Sequence, residues 1–356
     1  MQMEKIKNVS DSYFERLLNF LEKERIRVVD VEPLTPDASS RRYFRLFFPD
    51  KTTKIAMVMG DIDPRIIFEE ILEKQVNFKE LPFINIARFL SKVGVRVPKI
   101  YQYDGERILI LEDFGRTPLD VFVRENGLEK SEVFYLDAIE QLCIMQNAEK
   151  DENCYAFELK FTKNMLMWEF NHFCEFFMGF TIDKDKEIKK EFEEISDVLS
   201  QTPYVFTHRD FHSKNLMCLD GGKVGILDFQ DALLGPYVYD LVSLTCDAYV
   251  DVSENLEDKI KSLYKQRSEE RGFRIPKDFE VHYVMCGIQR TLKAAGRFMF
   301  IFKEKKNKKF IPYVIPAAKK GLKLMKKLGL KSSEKVEGKI EELISSNSDL
   351  FSFSLL

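Results

Sequence analysis

His208-Arg209-Asp210-Phe211-His212-Ser213-Lys214-Asn215, followed by Val224-Gly225-Ile226-Leu227-Asp228-Phe229, is the stretch on which the reading of this chain turns. It offers an Asp able to take a hydroxyl proton, an Asn on the same short loop, and a second Asp closing an apolar strand. These are one base and two hard oxygen ligands for Mg²⁺, the set that moving a phosphoryl group from ATP calls for. A γ-phosphoryl group in flight is loose and highly charged, so a protein contributes mainly position and countercharge. Asp210 and Asn215 must then share a tight loop. Asp220-Gly221-Gly222 is a turn signal between Leu216-Met217-Cys218-Leu219 and Lys223-Val224-Gly225-Ile226-Leu227. The hairpin it predicts folds Asp228 back beside Asn215, so that the two metal ligands meet.

His212 refines the reading. A His two positions after the base, in the pattern H-x-D-x-H-x-x-N, resembles the aminoglycoside phosphotransferase and choline kinase superfamily, where protein kinases commonly carry Lys. Residues 205–240 as a whole, VFTHRDFHSKNLM and then GILDFQDALLGPYVYDL, are similar to the bacterial anomeric sugar kinases that act on N-acetylmuramate and N-acetylglucosamine. Ala38-Ser39-Ser40-Arg41-Arg42-Tyr43-Phe44-Arg45-Leu46, Gly94-Val95-Arg96-Val97-Pro98 and Gln289-Arg290-Thr291-Leu292-Lys293 extend the resemblance over residues 15–330. The resemblance implies an α+β, two-lobed protein-kinase-like fold. A small sheet-containing lobe, 1–111, would bind nucleotide, and a mainly helical lobe, 112–356, would hold the catalytic loop and the acceptor. It implies ATP and Mg²⁺ as cofactors, Asp210 as base, His212 against the transferring group, and Asn215 and Asp228 as metal ligands. Glu169, Gln230, Asp231, Arg290 and Lys293 would surround a sugar, while His208 and Asp240 brace the loop. For Arg290 and Lys293 a structural ion pair is an equal reading. The competing acceptors are an aminoglycoside, a choline-like alcohol or another small alcohol; a catalytically silent nucleotide-binding protein is the alternative of another class.

Composition narrows the function classes. The chain has 356 residues, 45% of them hydrophobic, enough for a large core in two lobes. A net charge of −3 argues against a nucleic-acid partner. The six cysteines form no C-x-x-C or zinc spacing and read as reduced thiols. No apolar run approaches a membrane span and residues 1–27 mix charges throughout, so the expectation is a cytoplasmic protein without a membrane partner.

Along the chain, Tyr13–Arg27 has helical spacing of Phe14, Leu17, Leu18 and Leu21, and Arg42–Phe48 and Lys54–Met59 read as strands. Phe83, Ile86, Ala87 and Leu90 mark a helix that Gly94 stops, and Ile108-Leu109-Ile110-Leu111 is a buried strand. Asp113-Phe114-Gly115 spells the kinase metal triplet but precedes the catalytic loop, so Asp228 is its counterpart. The backbone of Glu112 and Phe114 lies where a hinge would meet adenine, and a plain connector reads equally well there. No glycine-rich G-x-G-x-x-G precedes the strands, and Met59 stands where a kinase strand would carry Lys. Arg41 and Arg42, read as part of a Ser39-Ser40-Arg41-Arg42 turn, either substitute as phosphate cations or form a solvated turn. The few residues between Asp228 and Gly235-Pro236 leave no room for a peptide-docking segment, which favours a small acceptor. Trp168 and the phenylalanines after it read as helix core, and the lysine-rich run 303–331 as a solvated helix face.

Overall fold

The computed structural model describes residues 12–34, 41–60 and 79–346. Helix α1 (Ser12–Lys23) precedes strands β1 (Asp30–Pro33), β2 (Arg41–Phe47) and β3 (Thr53–Met59); α2 (Pro82–Lys92), β4 (Ile100–Tyr103) and β5 (Ile108–Glu112) follow. The five strands form one antiparallel sheet in the order β1-β2-β3-β5-β4. Its two central strands are apolar on both faces, and the period of two sorts their side chains. Ala56, Val58, Ile108 and Ile110 pack with Phe14, Leu17 and Leu21 of α1, while Met57, Met59, Leu109 and Leu111 belong to the main core. The same alternation divides β2. Phe44 and Leu46 face α1, so Arg41, Tyr43 and Arg45 face the opposite side.

The rest is mainly helical. It comprises α3 (Leu119–Gln146), α4 (Lys163–Phe173), α5 (Lys186–Ser200), β6 (Tyr204–Thr207), β7 (Leu216–Leu219), β8 (Lys223–Ile226), β9 (Leu233–Pro236), α6 (Tyr239–Thr245), α7 (Glu254–Glu270), α8 (Phe279–Lys303), α9 (Ile311–Leu328) and α10 (Ser333–Ser346). A small sheet followed by a helical body is the kinase-like architecture that the sequence implied. The β7–β8 hairpin forms as expected, with Leu216 opposite Ile226 and the backbone at Gly221 and Gly222 left-handed, at φ 70° and 69°. Gly94 is also left-handed, at φ 90°, and ends the turn after α2.

Two sequence readings are corrected. Arg41 and Arg42 begin β2, across the ladder from Met59 and Val58, and are strand residues; Ser39 and Ser40 lie outside the described residues. Trp168 is not core. Phe170, Phe173 and Phe177 are buried, but Trp168 remains 43% exposed. Most lysines of the run 303–331 are exposed, as expected, with Lys323 and Lys326 in surface pairs with Glu254 and Glu337, while the partly buried Lys320 bonds the carbonyls of Asp247 and Val250. All six cysteines are free thiols, as expected, and among the described residues no helix is long and apolar enough to cross a membrane.

Candidate active site

The loop after β6 is held from below by a buried carboxylate. Asp240, at the start of α6, accepts the backbone N–H of His208 at 2.6 Å and of Arg209 at 3.0 Å. Those bonds hold Arg209 in a left-handed conformation, φ 76°, which a non-glycine residue adopts only when its surroundings impose it. Burial pushes the Asp240 carboxyl up to about 7 against the pull of its two N–H donors. His208 ties the loop to the far side of the site. Its Nε2 donates to the carbonyl of Leu227 at 2.9 Å, and its Nδ1 accepts the N–H of Asp210 at 3.3 Å. That pairing fixes a neutral tautomer, and burial pushes the ring down to about 4.

The expected convergence of Asp210, Asn215 and Asp228 is present. Asn215 donates its Nδ2 to the carbonyl of Asp210 at 2.9 Å, and its own carbonyl accepts the N–H of Leu227 at 2.9 Å. The donor end of the amide is thereby fixed inward and Oδ1 faces away from that bond. Asp228 follows Leu227 in a left-handed conformation, φ 60°, with its side chain 44% exposed. Removal from water and the neighbouring Asp210 and Asp231 push its carboxyl up to about 6, while Arg41 opposes the shift. The donor set of an amide oxygen and carboxylates fits Mg²⁺, which takes hard oxygens and keeps water and substrate phosphate in its remaining positions. Among the described residues, no group of three or more His, Cys, Asp or Glu side chains is placed to hold a metal ion.

Arg41 reaches this site from the sheet: its Nη1 lies 3.6 Å from Asp228 Oδ1. It stands across the ladder from Met59, on the strand beside β3. Arg42 faces the other way, on the α1 side of the sheet, and lies over the ring of Tyr13 at 5.3 Å. Asp113 is fully engaged elsewhere. Arg45 Nε and Nη2 donate to its two oxygens at 2.6 and 3.1 Å, and the Gly115 N–H donates at 2.9 Å. At the connector, the N–H of Glu112 donates to the carbonyl of Lys99, and Phe114 packs its ring on Gly225.

On the acceptor side, α8 supplies cations. Arg290 Nη2 lies 3.3 Å from Asp210 Oδ1, and its Nε donates to Ser243 Oγ at 3.0 Å. Burial works to raise the Asp210 carboxyl, but Lys293 and Arg290, with His212 and Arg209, hold it well below the usual carboxylate range. Lys293 pairs with the buried Glu169 at 2.7 Å and with Tyr239 Oη at 3.2 Å; Gln289 bonds the other oxygen of Glu169. Arg290, Lys293 and Glu169 therefore all have protein partners, as the ion-pair reading allowed. Gln230 bridges Asp228 and Asp231 through its Nε2, at 2.9 and 3.1 Å. His212 packs against Tyr249 with ring centroids 5.2 Å apart, and its Nδ1 is buried without a hydrogen-bond partner. Sequence reasoning missed Gln289, Arg209, Asp247 and Arg297. Asp247 accepts the N–H of Ser213 at 2.8 Å. Only Arg297 had a signal, the recurrence of basic residues at 290, 293 and 297 along one helix.

The chain is 28% identical over 299 residues to an N-acetylmuramate/N-acetylglucosamine kinase of Neisseria meningitidis, covering 81% of this chain and 83% of that one. It is 31% identical to the kinase of the same name from Pseudomonas aeruginosa over 75% of each chain. Among solved structures, an ADP-bound aminoglycoside phosphotransferase aligns with a TM-score of 0.58 at 15% identity, over 89% of this chain and 99% of the other. A choline kinase from Streptococcus pneumoniae aligns at 0.61 and 13% identity, over 89% of this chain and all of the other. The family described as the phosphotransferase enzyme family matches residues 78–273, more than half the chain and the whole catalytic loop. The chain belongs to that phosphotransferase enzyme family.

Proposed function

We propose that this protein transfers the γ-phosphoryl group of ATP, with Mg²⁺, to the anomeric hydroxyl of N-acetylmuramate or N-acetylglucosamine, giving the sugar 1-phosphate and ADP. The observation that carries the phosphoryl-transfer reading is the hydrogen-bonded union of Asp210, Asn215 and the Asp228 strand end. The relatives' names supply the sugar. Of the three α8 cations, Arg290 and Lys293 are paired with Asp210 and Glu169, and Arg297 pairs with no carboxylate among the described residues; that unbalanced cation favours a neutral or acidic acceptor over a cationic aminoglycoside or choline-like alcohol.

Asn215 and Asp228 would hold Mg²⁺, which neutralises charge on the ATP phosphates when bound. Asp210 is ionised at neutral pH and is oriented by Arg290, so it accepts a hydrogen bond from the sugar hydroxyl and aims its oxygen in line with the phosphorus. A carboxylate of depressed pKa is a weak base, so the proton moves to Asp210 late, as the new P–O bond forms and the bond to the ADP oxygen breaks. His208 and Asp240 keep the loop in place without touching substrate. Asp210→Ala should lower turnover by roughly 10²–10⁴-fold with ATP affinity retained, read by coupled ADP release and nucleotide titration with a panel of sugars. Near-normal turnover by a folded variant excludes Asp210 as the base, and a wild-type enzyme inactive on both sugars excludes the acceptor.

A further inference from the structure

One cation on the acceptor face pairs with no carboxylate among the described residues. Arg290, Lys293 and Arg297 recur at helical spacing along α8. Arg290 is held by Asp210 and Ser243, and Lys293 by Glu169 and Tyr239. Arg297 makes no ion pair or hydrogen bond to another of the described residues; its guanidinium lies 5.0 Å over the ring of Phe300. Phe300 packs on His172 at 5.1 Å, and His172 stacks on Trp168 at 5.0 Å. The row thus ends in a large aromatic that is 43% exposed.

Helices α4 and α8 are locked together beside this row. A Cβ on Gly296 would come within 2.6 Å of the Phe173 Cα, so the backbones touch where Arg297 begins. Trp168 and Arg297 are therefore fixed relative to each other. The neighbouring residues Glu169 and Lys293, paired at 2.7 Å, fasten the same two helices one turn closer to Asp210. Arg297 lies about 10 Å along the helix axis from Arg290, the residue in contact with Asp210.

Resting on the sugar-kinase reading, we propose that Arg297 binds the lactyl carboxylate of N-acetylmuramate, with Trp168 presenting an apolar face to the sugar, and that Arg297 sets the preference for this acid over neutral N-acetylglucosamine. A guanidinium is suited to this by its planar fork, which matches a carboxylate in two parallel hydrogen bonds. Trp168 supplies ring contact common to both sugars.

The test is steady-state kinetics of wild type, Arg297→Gln and Arg297→Lys with both sugars at saturating MgATP. Arg297→Gln should lower the N-acetylmuramate to N-acetylglucosamine ratio of kcat/KM by roughly 10- to 100-fold, the loss of one charge-assisted contact. The change should sit in KM for the acid, and Arg297→Lys should restore part of the ratio. An unchanged ratio, including proportional losses on both sugars, overturns the assignment while leaving the sugar-kinase reading intact. A wild-type enzyme that phosphorylates neither sugar overturns both, and that arm is read before any variant is made.

Discussion

Arg41 and Arg42 are neighbours in sequence with opposite surroundings, because successive residues of a strand face opposite sides of the sheet. Arg41 meets Asp228 and Arg42 meets Tyr13. Arg41→Gln should therefore raise the Michaelis constant for ATP, by up to roughly 10-fold given that the side chain is only partly desolvated. Arg42→Gln should leave it within about twofold, the ordinary scale for a surface cation far from phosphate. Initial-rate measurements at varied ATP decide this, and equal effects of the two changes would remove Arg41 from the phosphate side. The residue pair was visible in the sequence, but which member faces the site was not. That depended on strand register, and reading the pair as a turn concealed it.

The α4–α8 crossing is the element on which the acceptor side depends. Gly296 allows it, since any side chain there meets the backbone of Phe173, which cannot rotate away. Gly296→Ala should cost about 1–3 kcal/mol in urea unfolding, the range for an overpacked contact. A wild-type midpoint would show that the helices separate freely. His172 lies in the same crossing, with burial, reinforced by Arg297, pushing its ring from 6.5 down to about 4. The unfolded chain binds more protons than the folded one between those values, so this group's contribution is present above pH 6.5 and is lost as pH falls towards 4. His172→Phe should flatten the wild-type loss of stability between about pH 6.5 and 4.5, measured by urea melts across that interval. Asp240, pushed up to about 7, changes stability in the opposite direction, so the difference between variant and wild type is the observable. Identical slopes would assign the pH dependence to other groups.

Across the whole molecule, the sheet and the helical body meet at a site built from both, so a ligand that bridges them should stabilise the folded state. MgATP at about 100 times its dissociation constant contributes about 2.7 kcal/mol to that stability. Asp228→Asn should abolish the Mg²⁺-dependent part of the resulting rise in Tm. Asp113→Asn should instead lower the unliganded Tm, because it breaks a buried pair with Arg45 worth about 3–5 kcal/mol to disrupt, and should keep the Mg²⁺-dependent rise. Differential scanning calorimetry with ATP, with and without Mg²⁺, separates the two; the reverse pattern would make Asp113 the metal ligand. The β7–β8 hairpin and the meeting of Asp210, Asn215 and Asp228 were legible in the sequence because they rest on local spacing: a loop, a glycine turn and a strand end within a few dozen residues; the kinase-like fold was legible only through the family resemblance. Tertiary structure alone decided that Asp113 belongs to Arg45, that Lys293 and Arg290 are engaged by Glu169 and Asp210, and that Trp168 stays exposed while Arg297 pairs with no carboxylate among the described residues. Those outcomes depend on which distant side chains helix packing and strand register bring within a few ångströms. Residue type and local spacing do not specify that.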